Sequence, residues 1–147
     1  MRSIKARLAI FFCVGAMAAT AAMAADRPYT QGSVWTVTMV RVKYGMESTY
    51  LSDLAANWRR VMDAAKKQNL VVSYKILSGN AVSRDDWSML LLIESKNWAA
   101  FDGADDKFDA IVENMIGPEK AQLEQLVKRS DMREIVGVRN FQEVNFK

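Results

Sequence analysis

The order of predicted elements is strand, helix, strand, strand, helices, strand, and it points to an α+β fold of βαββαβ order. Such a chain builds a four-stranded antiparallel sheet with helices on one face. Three observations predict it. Four stretches are rich in β-branched, aromatic or aliphatic residues, two segments between them carry large side chains at three- and four-residue steps, and Gly, Pro and Asn mark the joints. The chain has no internal repeat and no low-complexity segment, and with 7 Gly and 2 Pro in 147 residues it has the composition of a globular domain.

Residues 25–32, with Pro28 and Gly32, read as an N-terminal arm, and residues 33–147 as a single domain. Ser33 to Lys43 (Ser-Val-Trp-Thr-Val-Thr-Met-Val-Arg-Val-Lys) is a strand pattern closed by Gly45. Residues 46 to 68 lack Gly and Pro, and Tyr50, Leu51, Leu54, Trp58, Val61 and Met62 recur at helical spacing. The other side of this helix carries Glu47, Asp53, Arg59, Arg60, Asp63, Lys66 and Lys67, acids early and bases late, as the helix dipole favours; it reads as a solvated face. Leu70 to Ser78 is the second strand, ended by Gly79-Asn80, and Trp87 to Glu94 the third.

Asn97 is placed to cap a turn through Phe101, and Asp105 or Asp106 to open a helix with Phe108, Ile111, Val112 and Met115 on one face. Gly117-Pro118 ends that helix and starts another from Glu119 to about Ser130, with Pro at its first position. Val136 to Phe146 is the last strand. Alternation sorts Val71, Ser73, Lys75 and Leu77 from Leu70, Val72, Tyr74 and Ile76, and Trp87, Met89, Leu91 and Ile93 from Ser88, Leu90, Leu92 and Glu94. Neither face of either strand is plainly polar. Helices on one side would leave much apolar area bare, so a second copy is expected on the other.

Residues 1–24 have the three parts of an export signal: basic Arg2 to Arg7, the apolar run Leu8 to Ala19, and small residues ending in Ala22-Met23-Ala24. Cleavage before Ala25 is expected, leaving no stable membrane anchor and a periplasmic or secreted location; the apolar run is short for roughly 30 Å of hydrocarbon. The signal holds three of the 20 basic residues, Arg2, Lys5 and Arg7, so the mature chain balances 17 basic against 17 acidic residues and offers no electrostatic footprint for nucleic acid. The single cysteine, Cys13, also lies in the signal and the chain has no histidine. That excludes a Cys nucleophile, a Ser-His-Asp triad, a His-ligated haem and the common zinc sites, and no metal or other cofactor is expected.

The candidate binding residues are aromatic. Tyr50, Trp58, Tyr74 and Trp87, with Trp35 beside them, combine apolar bodies with polar tips and suit a pocket for a small apolar or aromatic molecule, although core or interface packing is their commoner use. Arg139 and Arg133 suit an anion, or else ion pairs to Glu134 or Glu143. Ser73 and Lys75 share a strand face, the geometry of a Ser-Lys pair, but that spacing is common by chance. Asp102, Asp105, Asp106 and Asp109 do not match a calcium loop and read as first-turn acids.

Several of these features together resemble the dimeric α/β-barrel superfamily, whose ferredoxin-like domains pair their sheets: the element order, Tyr50 and Trp58 on the first helix, Leu70-Val-Val-Ser-Tyr-Lys75, Asp85-Asp86-Trp87, and the late Arg133 and Arg139. The resemblance runs from Val34 to Phe146 and includes antibiotic-biosynthesis-type monooxygenases. It implies a homodimer with a cavity and leaves open cofactor-independent oxygenation, with Tyr74 or Tyr50 positioning a substrate and Arg139 stabilising negative charge. The expectation is an exported homodimer that binds a small apolar molecule; the alternative is a cofactor-independent, monooxygenase-like enzyme.

Overall fold

A computed structural model describes residues 27–147. The expected export segment, with its cleavage site, lies outside the described residues. The chain runs β1 (Tyr29–Val42), α1 (Glu47–Asp53), a π-helical turn (Leu54–Trp58), α2 (Arg59–Lys67), β2 (Ser73–Ser78), β3 (Met89–Ser95), a 3-10 turn (Trp98–Phe101), α3 (Ala104–Ile116), α4 (Glu119–Ser130) and β4 (Arg133–Phe146). The strands form one sheet in the order β2-β3-β1-β4, every neighbour antiparallel. This is an α+β architecture with β1 and β3 at the centre.

The strand boundaries depart from the sequence reading. Half of the expected arm is strand, because β1 begins at Tyr29 rather than Ser33, and β4 begins at Arg133 rather than Val136. Each is extended by the other: Tyr29, Thr30 and Gln31 pair with Phe146, Asn145 and Val144, and Arg41 and Val42 with Glu134 and Arg133. A bulge between Gln31 and Val34 absorbs Gly32, where a Cβ would lie 2.6 Å from both Asn145 Nδ2 and Glu143 Oε2. A second irregularity falls at Met39/Val40.

β2 is shorter than expected. Asn69 takes a left-handed φ of 58°, and a bend at Val72 resets the alternation, so Val71 is buried while Val72 is 46% exposed. Trp87 sits in the loop before β3 rather than in the strand; Arg41 ties that loop down by donating to the Asp85 and Asp86 carbonyls, at 2.6 and 3.2 Å.

The helices agree more closely. Asn97 caps its turn, accepting from the Ala100 amide at 3.2 Å, Asp105 and Asp106 occupy the first turn of α3, and α4 spans Glu119–Ser130. Pro118 is the N-cap of α4 rather than its first residue. The long helix is continuous from Glu47 to Lys67 but contains the π turn, which no periodicity announced.

Residues opposite one another share a sheet face. Val40, Met89, Leu91 and Ile76 pack beneath α1 with Tyr50, Leu54 and Met132. Tyr74 and Ile93 pack beneath α2 and α3 with Val61, Met62, Ala65, Val71 and Ile111. Trp58 packs against both clusters and joins them into one core. The opposite face carries Trp35, Val37, Leu77, Leu90, Leu92 and Phe141, and no element of the described chain covers it; Leu77 and Phe141 are half exposed.

Candidate functional site

The π turn organises the helix side. One extra residue in a helix shifts the phase of everything after it by about 100°. Tyr50, Leu54 and Trp58 enter the core at four-residue steps, and after the turn Val61, Met62 and Ala65 continue the buried stripe. The turn also aims Asp53 and Asn57, four apart, at Gln125 and Arg129, four apart on α4. Asp53 accepts from Asn57 Nδ2 at 2.8 Å and from Arg129 Nε at 2.6 Å, and Asn57 accepts from Gln125 Nε2 at 3.2 Å. The Asp53 and Arg129 side chains are 10% and 22% exposed. Beneath them Tyr50 is buried, and burial raises its pKa above the usual 10.0 against the lowering effect of the Arg133 guanidinium at its hydroxyl.

Beside this network lies a cleft of about 230 Å³ between α2 and α3. Its walls are Trp58, Val61, Met62, Phe108, Val112 and Ile116, and its polar edge is Asn57 and Arg129. A second cleft of about 410 Å³, toward Leu123 and Leu126 of α4, shares Val112, Ile116 and Arg129 with the first. Tyr74 does not line either cleft but supports Trp58 from the sheet. Its ring meets Trp58 edge to face at 5.2 Å and 87°, and its hydroxyl donates to Asp63 Oδ1 at 2.5 Å. Desolvation first, then that hydrogen bond to the carboxylate, raises the Tyr74 pKa. Both phenols therefore stay neutral donors at neutral pH.

The structure thus brings Tyr50, Trp58 and Tyr74 to one side of the sheet and leaves the other candidates elsewhere. Trp87 is 37% exposed in its loop, and Arg139 is exposed on the bare sheet face, paired with Val37 across the strands. The sheet stands between Arg139 and both tyrosines. Ser73 and Lys75 do share the bare face, but Ser73 donates to the Glu94 carboxylate and Lys75 Nζ sits 4.4 Å over the Trp35 ring. There a shallow groove of about 320 Å³ runs past Trp35, Val37, Lys75, Leu92 and Phe141.

Arg133 does not take either expected ion pair. Glu134 goes to Arg41 at 2.9 Å and Glu143 accepts from Ser33. Among the described residues no group of three or more His, Cys, Asp or Glu side chains is placed to hold a metal ion, and the four aspartates near α3 make no such group.

Sequence reasoning missed Asp53, Asn57, Gln125 and Arg129, and it assigned Asp53 to the solvated face. The signal was present as two polar i, i+4 pairs, but nothing in the sequence says that the two helices bearing them face one another.

No family model matches the chain, and no curated protein matches it. Two solved structures are similar in shape. Protein SO0527 from Shewanella oneidensis is 15% identical, with a TM-score of 0.48 over 80% of this chain and 98% of that one. HapK from Hahella chejuensis is 17% identical, with a TM-score of 0.42 over 75% and 91%. Fold and site together define an α+β protein with one antiparallel sheet, an aromatic cleft on its helix side and a bare apolar sheet face.

Proposed function

We propose that this chain is an exported ferredoxin-like domain that pairs through its bare sheet face into a dimeric α/β barrel and binds a small, mostly apolar or aromatic molecule in the cleft beside Trp58. The cleft carries the binding reading. Six apolar side chains surround a space edged by two polar groups whose positions are locked by hydrogen bonds to Asp53 and Gln125, the usual composition of a small-molecule site. A π turn inside an α-helix is often found at such sites.

Pairing is supported by the sheet. Trp35, Val37, Leu92 and Phe141 make a contiguous apolar surface of the kind that soluble monomers seldom expose, and β4 is a 14-residue edge strand with its outer side unpaired. Lys75 and Arg139 share that face with Glu94, so it carries charges of both signs and can complement a second copy of itself.

Native mass spectrometry of the protein recovered from the compartment to which it is exported tests these parts together. The expected species is a dimer of chains beginning at Ala25 that loses an extra small-molecule mass on denaturation. A monomer at micromolar concentration removes the pairing, and a chain retaining residues 1–24 removes the export.

A further inference from the structure

Two guanidinium groups and one carboxylate meet under α1. Asp53 is matched by Arg129; Tyr50 is a neutral phenol; Asn57 and Gln125 carry no charge. That leaves Arg133 in excess, and its Nε is buried without a hydrogen-bond partner. Glu119, the acid that lines the larger cleft, is ten residues from Arg129 on α4, about 15 Å along the helix, and the ion pair of Arg129 is to Asp53 instead. A partly buried cluster with one uncompensated positive charge is costly unless something brings a counter-charge. Arg129 is the member of the cluster that a ligand can reach, because it forms a wall of both clefts, and only one of the five guanidinium N–H donors is committed to Asp53.

We infer that the occupant of the cleft is amphipathic: an aromatic or aliphatic body against Trp58 and Phe108, and a single anionic head group of the carboxylate or sulfonate type held by Arg129 where the two clefts meet. This rests on the small-molecule reading above and narrows it from apolar molecules to apolar anions. An oxyanion at Arg129 forms charge-assisted hydrogen bonds with the guanidinium donors that Asp53 leaves free, and brings a negative charge to the cluster.

A matched pair of fluorescent probes tests the inference: 1-anilinonaphthalene-8-sulfonate and N-phenyl-1-naphthylamine, which share their ring system and differ in the sulfonate. Wild-type protein is expected to bind the sulfonate about tenfold more tightly, with energy transfer from tryptophan that drops in Trp58→Phe. In Arg129→Gln the ratio of the two affinities falls to about one, and Arg129→Lys keeps part of it. Should Arg129→Gln lose its fold by circular dichroism, the double variant Asp53→Asn/Arg129→Gln removes both charges together and the same ratio is read. Equal affinities in the wild type, or a preference that survives in Arg129→Gln, overturns the anion assignment while leaving the cleft as a binding site. Transfer that is indifferent to Trp58→Phe overturns the cleft reading itself, and the anion assignment with it.

Discussion

Tyr50 shows how one side chain serves packing and electrostatics at once. Its ring is 1% exposed among Val40, Leu54, Met89 and Met132, and its hydroxyl is kept neutral by that same burial. The folded-state pKa lies above the unfolded value of 10.0, so the associated stability is present below pH 10 and is lost as pH rises through the raised value. The melting temperature of the wild type is therefore expected to fall as the pH rises above 10, and to fall less in Tyr50→Phe; equal slopes would remove Tyr50 as the cause. Trp58 matters for a different reason. It joins the two halves of the core, meets Tyr74 edge to face and walls the cleft, so Trp58→Ala is expected to cost about 3 kcal/mol of stability, read by urea denaturation, as well as probe binding.

At the scale of elements, the joint between the long helix and α4 depends on Asp53. It accepts from both Asn57 and Arg129 at the start of the π turn, and its removal leaves the Arg129 guanidinium without its counter-charge. Asp53→Ala is expected to destabilise by about 2–3 kcal/mol, the range for breaking a mostly buried pair discounted for the partial exposure of Arg129. That should lower the urea midpoint by about 1–2 M. An unchanged midpoint would mean that apolar packing alone holds α4. The strands show a converse dependence. β1 and β4 each run 14 residues because each supplies the other with partners, so the Pro28–Gly32 stretch that looked like an arm is drawn into the sheet as far as Tyr29.

At the scale of the whole molecule, the unequal faces of the sheet matter most. One is roofed by helices; the other presents Trp35, Val37, Leu92 and Phe141 with a charged fringe. If the proposed pairing is right, Leu92→Glu at the centre of that face should convert a dimer into a monomer by light scattering with its helical circular dichroism intact. A dimer that survives the substitution would place the interface elsewhere.

Hydrophobic period and turn residues were enough to read the α+β class and most helix boundaries, because those are local consequences of side-chain spacing, capping and backbone stiffness. Tyr50 and Trp58 were legible as large residues on the buried stripe, and Tyr74 as an aromatic on an alternating strand. The strand ends were not legible, since a ladder extends as far as its partner does, and neither was the π turn, which leaves no mark in a three- or four-residue period. The meeting of Asp53 and Asn57 with Gln125 and Arg129 joins residues about seventy positions apart. Only the tertiary structure decides it, because it depends on where α4 lies against the long helix and on which sheet face the helices choose to cover.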